Sequence, residues 1–243
     1  MQSIFANMRQ FAISDIHGCN ITFNALLDKI GLTTADELYL LGDYIDRGPD
    51  SKGVLDTIIG LQSKGYKVRC LLGNHDDCMV RALYNFEEYE AWLHKWGGQE
   101  TLESFGVFSL QDVPLAYWRL LDSLENYIEV GDYLLVHAGL NWSAPKPLAD
   151  LDGLLYTRNW YSKIDYEWLG KRTILHGHTP IIRPAMESLL VSMPYHQYLN
   201  LDNGCVYDRY ADGSYHLCAF DMTNHQLFFQ KNLDDVSGYW ARH

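Results

Sequence analysis

Short apolar runs recur along the 243-residue chain, each closed by polar residues: FAIS before Asp15, ELYLLG before Asp43, VRCLLG before Asn74, YLLV before His137 and RTIL before His176. Short runs rich in β-branched and aromatic side chains read as buried strands. Between them the period changes. In NITFNALLDKIG, Phe23, Leu26, Leu27 and Ile30 fall at i, i+3, i+4 and i+7, which predicts a helix with Asn20 as N-cap and Gly31 as stop. In DSKGVLDTIIGLQSKG, Val54, Leu55, Ile58, Ile59 and Leu61 make a second stripe that also ends on glycine. The opening therefore reads β-α-β-α-β, the pattern of an α/β protein with a mixed or parallel sheet and helices on its faces. Residues 77–125 read as mainly helical and aromatic-rich. From about Leu189 the chain reads as strands, most clearly in YLNLDNGCVYDRY and YHLCAFDMTNHQLFFQ. No repeat, low-complexity tract or long linker interrupts this order, NWSAPKPLADLDG at 141–153 being only a softer stretch. One domain over 1–243 is expected, since chains of this length are often undivided.

Composition narrows the class. A hydrophobic content of 47% is enough for a full core, and the formal charge of −12 argues against gripping nucleic acid or anionic membranes, which need a basic surface. Five cysteines with no CxxC pair argue against a disulfide framework. The start MQSIFANMRQFAIS has no apolar stretch of signal-peptide type, and no apolar run approaches membrane-spanning length. A soluble cytoplasmic protein is expected.

Each strand end carries a residue able to bind metal: Asp15 and His17 in SDIHG, Asp43 in LGDY, Asn74 in LGNHD, His137 in VHAG and His178 in HGHT. Parallel strands bring their C-terminal ends to one edge, where open α/β folds hold ligands. Carboxylate, imidazole and amide oxygen together suit Mn²⁺, Fe or Zn²⁺, with no thiolate competing. Six ligands are too many for one ion with an open position, so two ions about 3.5–4 Å apart, sharing Asp43, are expected. A single Asp or His after a strand is ordinarily a turn residue or a satisfied polar group. That reading fails for five such motifs in order, each after an apolar run.

Taken together, SDIHG, GDYIDRGPDS, GNHD, VHAG and GHTP resemble the calcineurin-like metallophosphoesterases, and more narrowly their phosphoprotein phosphatase branch in its small bacterial form. The likeness runs from about residue 11 to 182, with LDNGC at 201–205 resembling a closing strand motif. WLHKWGGQETLESFG is similar to a helical stretch of bacterial phosphatases and diadenosine-tetraphosphate hydrolases in this branch. The resemblance implies two mixed sheets packed as a sandwich flanked by helices, with a dinuclear site at strand ends. It implies Asp15, His17 and Asp43 on one ion, and Asp43, Asn74, His137 and His178 on the other. His75 matches the general acid, Asp46 its orienting carboxylate, and Arg47 and Arg158 the phosphate clamps.

The implied chemistry is in-line attack on phosphorus by a metal-bound hydroxide, with no phosphoenzyme, and with Mn²⁺ expected ahead of Fe or Zn²⁺. Asn74 and His75, neighbours leaving a strand, are expected to point apart, one to the ions and one to the substrate. Ser14, Cys19 and Cys78 read as packing or turn residues. His176 is set aside as a ligand because the resemblance places that role at His178, and His94, His196, His216, His225 and His243 read as surface or structural. Tyr84, Phe86, Tyr89, Trp92 and Trp96 sit at helical spacing and read as core before nucleobase contacts. The main expectation is a serine/threonine phosphoprotein phosphatase acting on a phosphoprotein or small phosphoester, the oligomeric state being left open. It leans on the intact DRGPDS and on a wall of acids at Glu87, Glu88, Glu90, Glu100 and Glu103 against Arg81 and Lys95. The alternative is a dinucleoside-polyphosphate (Ap4A) hydrolase. A non-catalytic metal scaffold is disfavoured, since it has no use for His75, Asp46 and Arg47.

Overall fold

A computed structural model describes residues 8–207 and 214–242. Strand β1 (Gln10–Ile13), helix α1 (Asn20–Ile30), β2 (Glu37–Leu40), α2 (Ser51–Ser63) and β3 (Lys67–Cys70) form the expected opening, and the three strands pair in parallel. The helical stretch follows as α3 (Asn74–Ala82), α4 (Phe86–Ala91), a π-helical turn over Trp92–Trp96, α5 (Gly98–Phe105) and α6 (Leu115–Asp122). Next come β4 (Ile128–Val130), β5 (Tyr133–Leu135), α7 (Leu151–Tyr156), α8 (Tyr166–Leu169), β6 (Thr173–His176), α9 (Arg183–His196) and β7 (Tyr198–Asn200). Strands β8 (His216–Asp221) and β9 (Gln226–Lys231) and helix α10 (Ser237–Arg242) complete the order.

Two mixed sheets result, ordered β3-β2-β1-β8-β9 and β4-β5-β6-β7. Alternation along the strands assigns each side chain to a layer. Phe11 and Ile13, Leu38 and Leu40, and Leu217 and Ala219 face the outer core, with Phe23 and Leu26 of α1 and Val54, Leu55 and Ile58 of α2. Ala12, Tyr39, Cys218 and Phe220 face the other way, onto Ile128, Leu135, Leu175 and Leu199 of the second sheet. Leu134 and Ile174 point out of that sheet onto Leu154 and Trp160. The molecule is therefore a sheet-on-sheet sandwich with helices on both outer faces, and each fully buried large apolar side chain contributes about 1.5–3 kcal/mol.

Local expectations differ from the structure in three places. The N-cap position of α1 is Cys19, which makes no side-chain cap. The capping carboxylate comes from Asp234, which accepts from the Ile21 and Thr22 N–H groups at 3.1 and 2.9 Å, while Asn20 donates to Asp50. The strands expected from Leu189 begin only at Tyr198, because residues 183–196 form α9. Its pattern is obscured by exposed Val191 and Tyr195 and by an internal Pro194, and only Met186 and Met193 are buried. Asn74 and His75 do not leave a strand but open α3, after Gly73. The last residues of YLNLDNGCVYDRY, and His243, lie outside the described residues.

Candidate active site

Five loops at the C-terminal ends of β1, β2, β3, β5 and β6 meet at one edge of the sandwich and bring nearly all the residues singled out in the sequence together. Asp43 is central: its Oδ2 lies 3.5 Å from His17 Nε2 and its Oδ1 3.5 Å from His137 Nε2. Asn74 Oδ1 lies 3.0 Å from His137 Nε2 and 2.8 Å from His178 Nδ1. Two trios, His17 with Asp43 and His75, and Asp43 with His137 and His178, each bring one ligand-type atom per residue within 4.8 Å of one another. Asp15 is in neither trio; its carboxylate accepts from the His178 backbone N–H at 3.0 Å and from the Ser14 hydroxyl.

The imidazole tautomers test whether metal fits. His17 Nδ1 donates to the Ile45 carbonyl at 2.9 Å and His137 Nδ1 to the Leu41 carbonyl at 2.8 Å. Each Nε2 lone pair is thereby turned inward, an arrangement typical of metal-binding histidines. At His137 that lone pair faces Asp43 Oδ1 and Asn74 Oδ1, so with a neutral imidazole three acceptors meet, and a cation or a proton among them removes the repulsion. His178 Nε2 is buried and has no hydrogen-bond partner among the described residues. The donor set fits two divalent ions sharing Asp43, with Asp15 at hand beside the first.

Charge in this buried edge is finely divided. Burial pushes the Asp15 carboxyl up to about 6 and brings His17, beside Arg47, down to about 3. Burial also works against ionised Asp43, but His137, His75, His17 and His178 around it hold its carboxyl well below the usual range. For His137 burial is outweighed by Asp43 and Asp15, which raise its affinity for a proton.

The Asp46–His75 pair lies alongside. Asp46 Oδ2 is 2.8 Å from His75 Nδ1, and the same carboxylate accepts from Thr101 Oγ1 at 2.7 Å and from Trp92 Nε1 at 3.1 Å. Burial disfavours charge on both partners, pushing the Asp46 carboxyl up and the His75 imidazole down. Arg47 Nη1 approaches His17 Nε2 at 3.0 Å, and its guanidinium lies 5.5 Å from the Tyr207 ring centroid. Arg158 stands on the rim, its Nη1 donating to Thr179 Oγ1 at 2.9 Å. A cleft of about 490 Å³ opens over these groups.

The backbone is strained where the side chains converge. Asp15, His17, Asp43, Asp46, Arg47 and His178 all have positive φ, between 46° and 71°, each at a cost of about 1–3 kcal/mol. Gly177 is needed for a different reason, since a Cβ there would run into Ser14 Oγ and the Asp15 carboxylate.

Two supporting residues, Asp76 and Thr101, escaped the reading of the sequence, and a third, Trp92, is core as expected but also holds a carboxylate. Asp76, the last letter of GNHD, accepts from the N–H groups of Gly73, Asp43 and Tyr44 at 3.0, 2.8 and 3.1 Å, tying the Asp43 loop to the start of α3. Thr101 and Trp92, inside WLHKWGGQETLESFG, hold Asp46, so the long motif acts as its cradle. The signal was present in the quoted motifs, but only as letters without a role. His176 is no part of the cluster. Its Nδ1 meets the Gly177 carbonyl at 3.0 Å and its ring packs on Trp160 and Tyr161.

Residues 8–215 match the family model of the calcineurin-like phosphoesterases, and the chain belongs to that family. It is 33% identical over 181 residues to a protein of Acidovorax sp. (strain JS42) named bis(5'-nucleosyl)-tetraphosphatase, symmetrical, a match covering 71% of this chain and 58% of that one. A Bacillus velezensis protein named bis(5'-nucleosyl)-tetraphosphatase PrpE [asymmetrical] is 28% identical over 232 residues, covering 83% of this chain and 86% of that one. The chain thus spans only somewhat over half the length of the symmetrical relative but most of the asymmetrical one. A solved metallophosphoesterase from Sphaerobacter thermophilus shares the fold with a TM-score of 0.57 at 19% identity, over 97% of this chain and 92% of that one.

Proposed function

We propose that this chain hydrolyses dinucleoside polyphosphates of the Ap4A class. The observation that carries the choice of substrate is that relatives of both lengths bear bis(5'-nucleosyl)-tetraphosphatase names. The sequence-based preference for a phosphoprotein gives way to its alternative on these names, and its charge argument weakens as well. Glu100, counted in the acidic wall, is buried against Arg242 at 2.8 Å, and Glu103 pairs with the same arginine at 3.0 Å.

Asp15, His17, Asp43, Asn74, His137 and His178 are the proposed ligands of two divalent ions, with manganese the expected occupant. Bound there, such ions supply Lewis acidity toward the phosphoryl oxygens and the attacking water. Arg47 and Arg158 clamp and neutralise the same oxygens with planar, charge-assisted hydrogen bonds. The water oxygen bonds to phosphorus and releases a proton to solvent, the bridging P–O bond breaks, and the leaving phosphate oxygen takes the proton of His75 Nε2. The hydrogen bond from Nδ1 to Asp46 keeps Nε2 aimed at the leaving oxygen as its proton departs. Thr101 and Trp92 keep that carboxylate aimed throughout.

The Acidovorax relative is named symmetrical and the Bacillus velezensis relative asymmetrical, so two molecules of ADP, or ATP with AMP, are the product sets to be distinguished. Anion-exchange analysis of Ap4A digested with Mn²⁺ present separates these outcomes. A phosphoserine peptide used with tenfold higher kcat/KM than Ap4A, about 1.4 kcal/mol in transition-state binding, overturns the assignment.

A further inference from the structure

Of the five aromatic residues of the helical stretch that read as core, the structure buries Trp92 and half-buries Tyr89, and it leaves the other three exposed. Tyr84 and Phe86 are 86% and 75% exposed on the outside, Tyr89 packs at the outer core, and Trp92 is wholly buried with its indole N–H on Asp46. Only Trp96 among them lines the catalytic cleft. It is 43% exposed, and its ring lies edge-on to His75 with centroids 6.1 Å apart.

The backbone explains how two tryptophans in one short stretch come to lie in different surroundings. Trp92–Trp96 form a π-helical turn closed by the Gly97 N–H on the Trp92 carbonyl. One residue more than an α-helical turn is accommodated there, a feature that concentrates at functional sites. Gly97, at φ 97°, then lets the chain pass against the Arg47 backbone, and Gly98 lets it pass against the Trp92 ring. Trp92 is thus committed to Asp46 while Trp96 is set at the mouth beside His75.

Position relative to His75 says what Trp96 would touch. Nε2 of His75 meets the leaving oxygen, so whatever lies beyond that oxygen in the substrate extends along the wall next to His75. In a dinucleoside polyphosphate that portion is a nucleotide. We propose that Trp96 is the stacking platform for the nucleobase of the leaving nucleotide, making it a specificity-determining residue. The inference rests on the proposed Ap4A-class activity. Among the described residues, the two tyrosines of the cleft are engaged elsewhere: the Tyr156 hydroxyl is tied to Asp77 and Arg81, and Tyr207 lies against Arg47 and Trp240.

The test compares Ap4A with inorganic tetraphosphate, which offers the same phosphate chain without bases. In Trp96→Ala the ratio of the two kcat/KM values is expected to fall about tenfold, in line with the loss when a stacked base loses its aromatic partner, and Trp96→Phe keeps part of the preference. In chelator-treated protein, AMP should quench tryptophan emission in the wild type and do so much less in Trp96→Phe. An unchanged ratio in Trp96→Ala, with wild-type protein still cleaving Ap4A, overturns the stacking role and leaves the proposed activity standing. Wild-type protein that cleaves tetraphosphate but not Ap4A overturns the activity and the platform together.

Discussion

Asp46 and His75 illustrate how a single side chain acquires a function from its surroundings. A carboxylate with three side-chain partners cannot swing away, and it fixes which imidazole nitrogen faces the cleft. With an alkyl phosphate as substrate, His75→Asn is expected to lower kcat by about 10²–10⁴ with metal content unchanged, the usual worth of a general acid. The loss should be smaller with p-nitrophenyl phosphate, whose leaving group needs little help, than with an alkyl phosphate; equal losses would show that His75 is not the acid. Asp43 makes a sharper case. Its two oxygens face His17 on one side and His137 on the other, so Asp43→Asn should release both ions together, and elemental analysis finding one ion tightly retained would contradict a shared ligand. At this scale the sequence was informative: motif letters such as Asp43, Asn74 and His178 do lie together. Asp76 and Thr101 were not legible, because what they do is hold backbone and carboxylate groups that only folding brings to them.

At the scale of elements, periodicity revealed α1, α2 and the parallel strands, because each buries a regular face. It missed α9, whose buried face is too thin to set a pattern, and it missed the cap of α1, whose carboxylate, Asp234, lies over two hundred residues away. The turn between α1 and β2 depends on a comparable carboxylate. Asp36 accepts from Arg9 Nε and Nη2 at 3.0 and 2.7 Å and from the Thr33 N–H and hydroxyl at 2.9 Å each. Burial pushes its carboxyl up, but the Arg9 and Thr33 donors outweigh this and hold it at about 2. A depressed folded value means that the stabilisation is present above the unfolded value near 3.8 and is lost as pH falls toward 2. Arg9 is partly exposed, and solvent screening brings the expected contribution to about 1 kcal/mol. Asp36→Asn should therefore lower the urea midpoint at pH 7, with the gap to wild type closing between about pH 4 and pH 2. A gap that persists undiminished at pH 2 would mean that shape, not charge, makes the turn.

The whole molecule places its ligands on both halves of the sandwich. Asp15, His17, Asp43 and Asn74 follow strands of the five-stranded sheet, whereas His137 and His178 follow β5 and β6 of the other. Ions held by both sets would tie the sheets together across the edge of their shared apolar layer, and binding to the folded state alone raises its stability by mass action. Chelation should therefore lower the melting temperature of the wild type, and Mn²⁺ should restore it. Phe220 lies wholly buried in the layer between the sheets, and the cleft is not lined by it. Phe220→Ala removes about 3–5 kcal/mol of packing, a large share of the 5–15 kcal/mol typical of a folded protein. Excess Mn²⁺ should then raise the melting temperature of Phe220→Ala as well, about 2.7 kcal/mol being available at a free concentration one hundred times the dissociation constant. Asp43→Asn should show no such Mn²⁺ response. If Mn²⁺ stabilises Asp43→Asn as strongly as wild type, the ions are held somewhere other than across the two sheets.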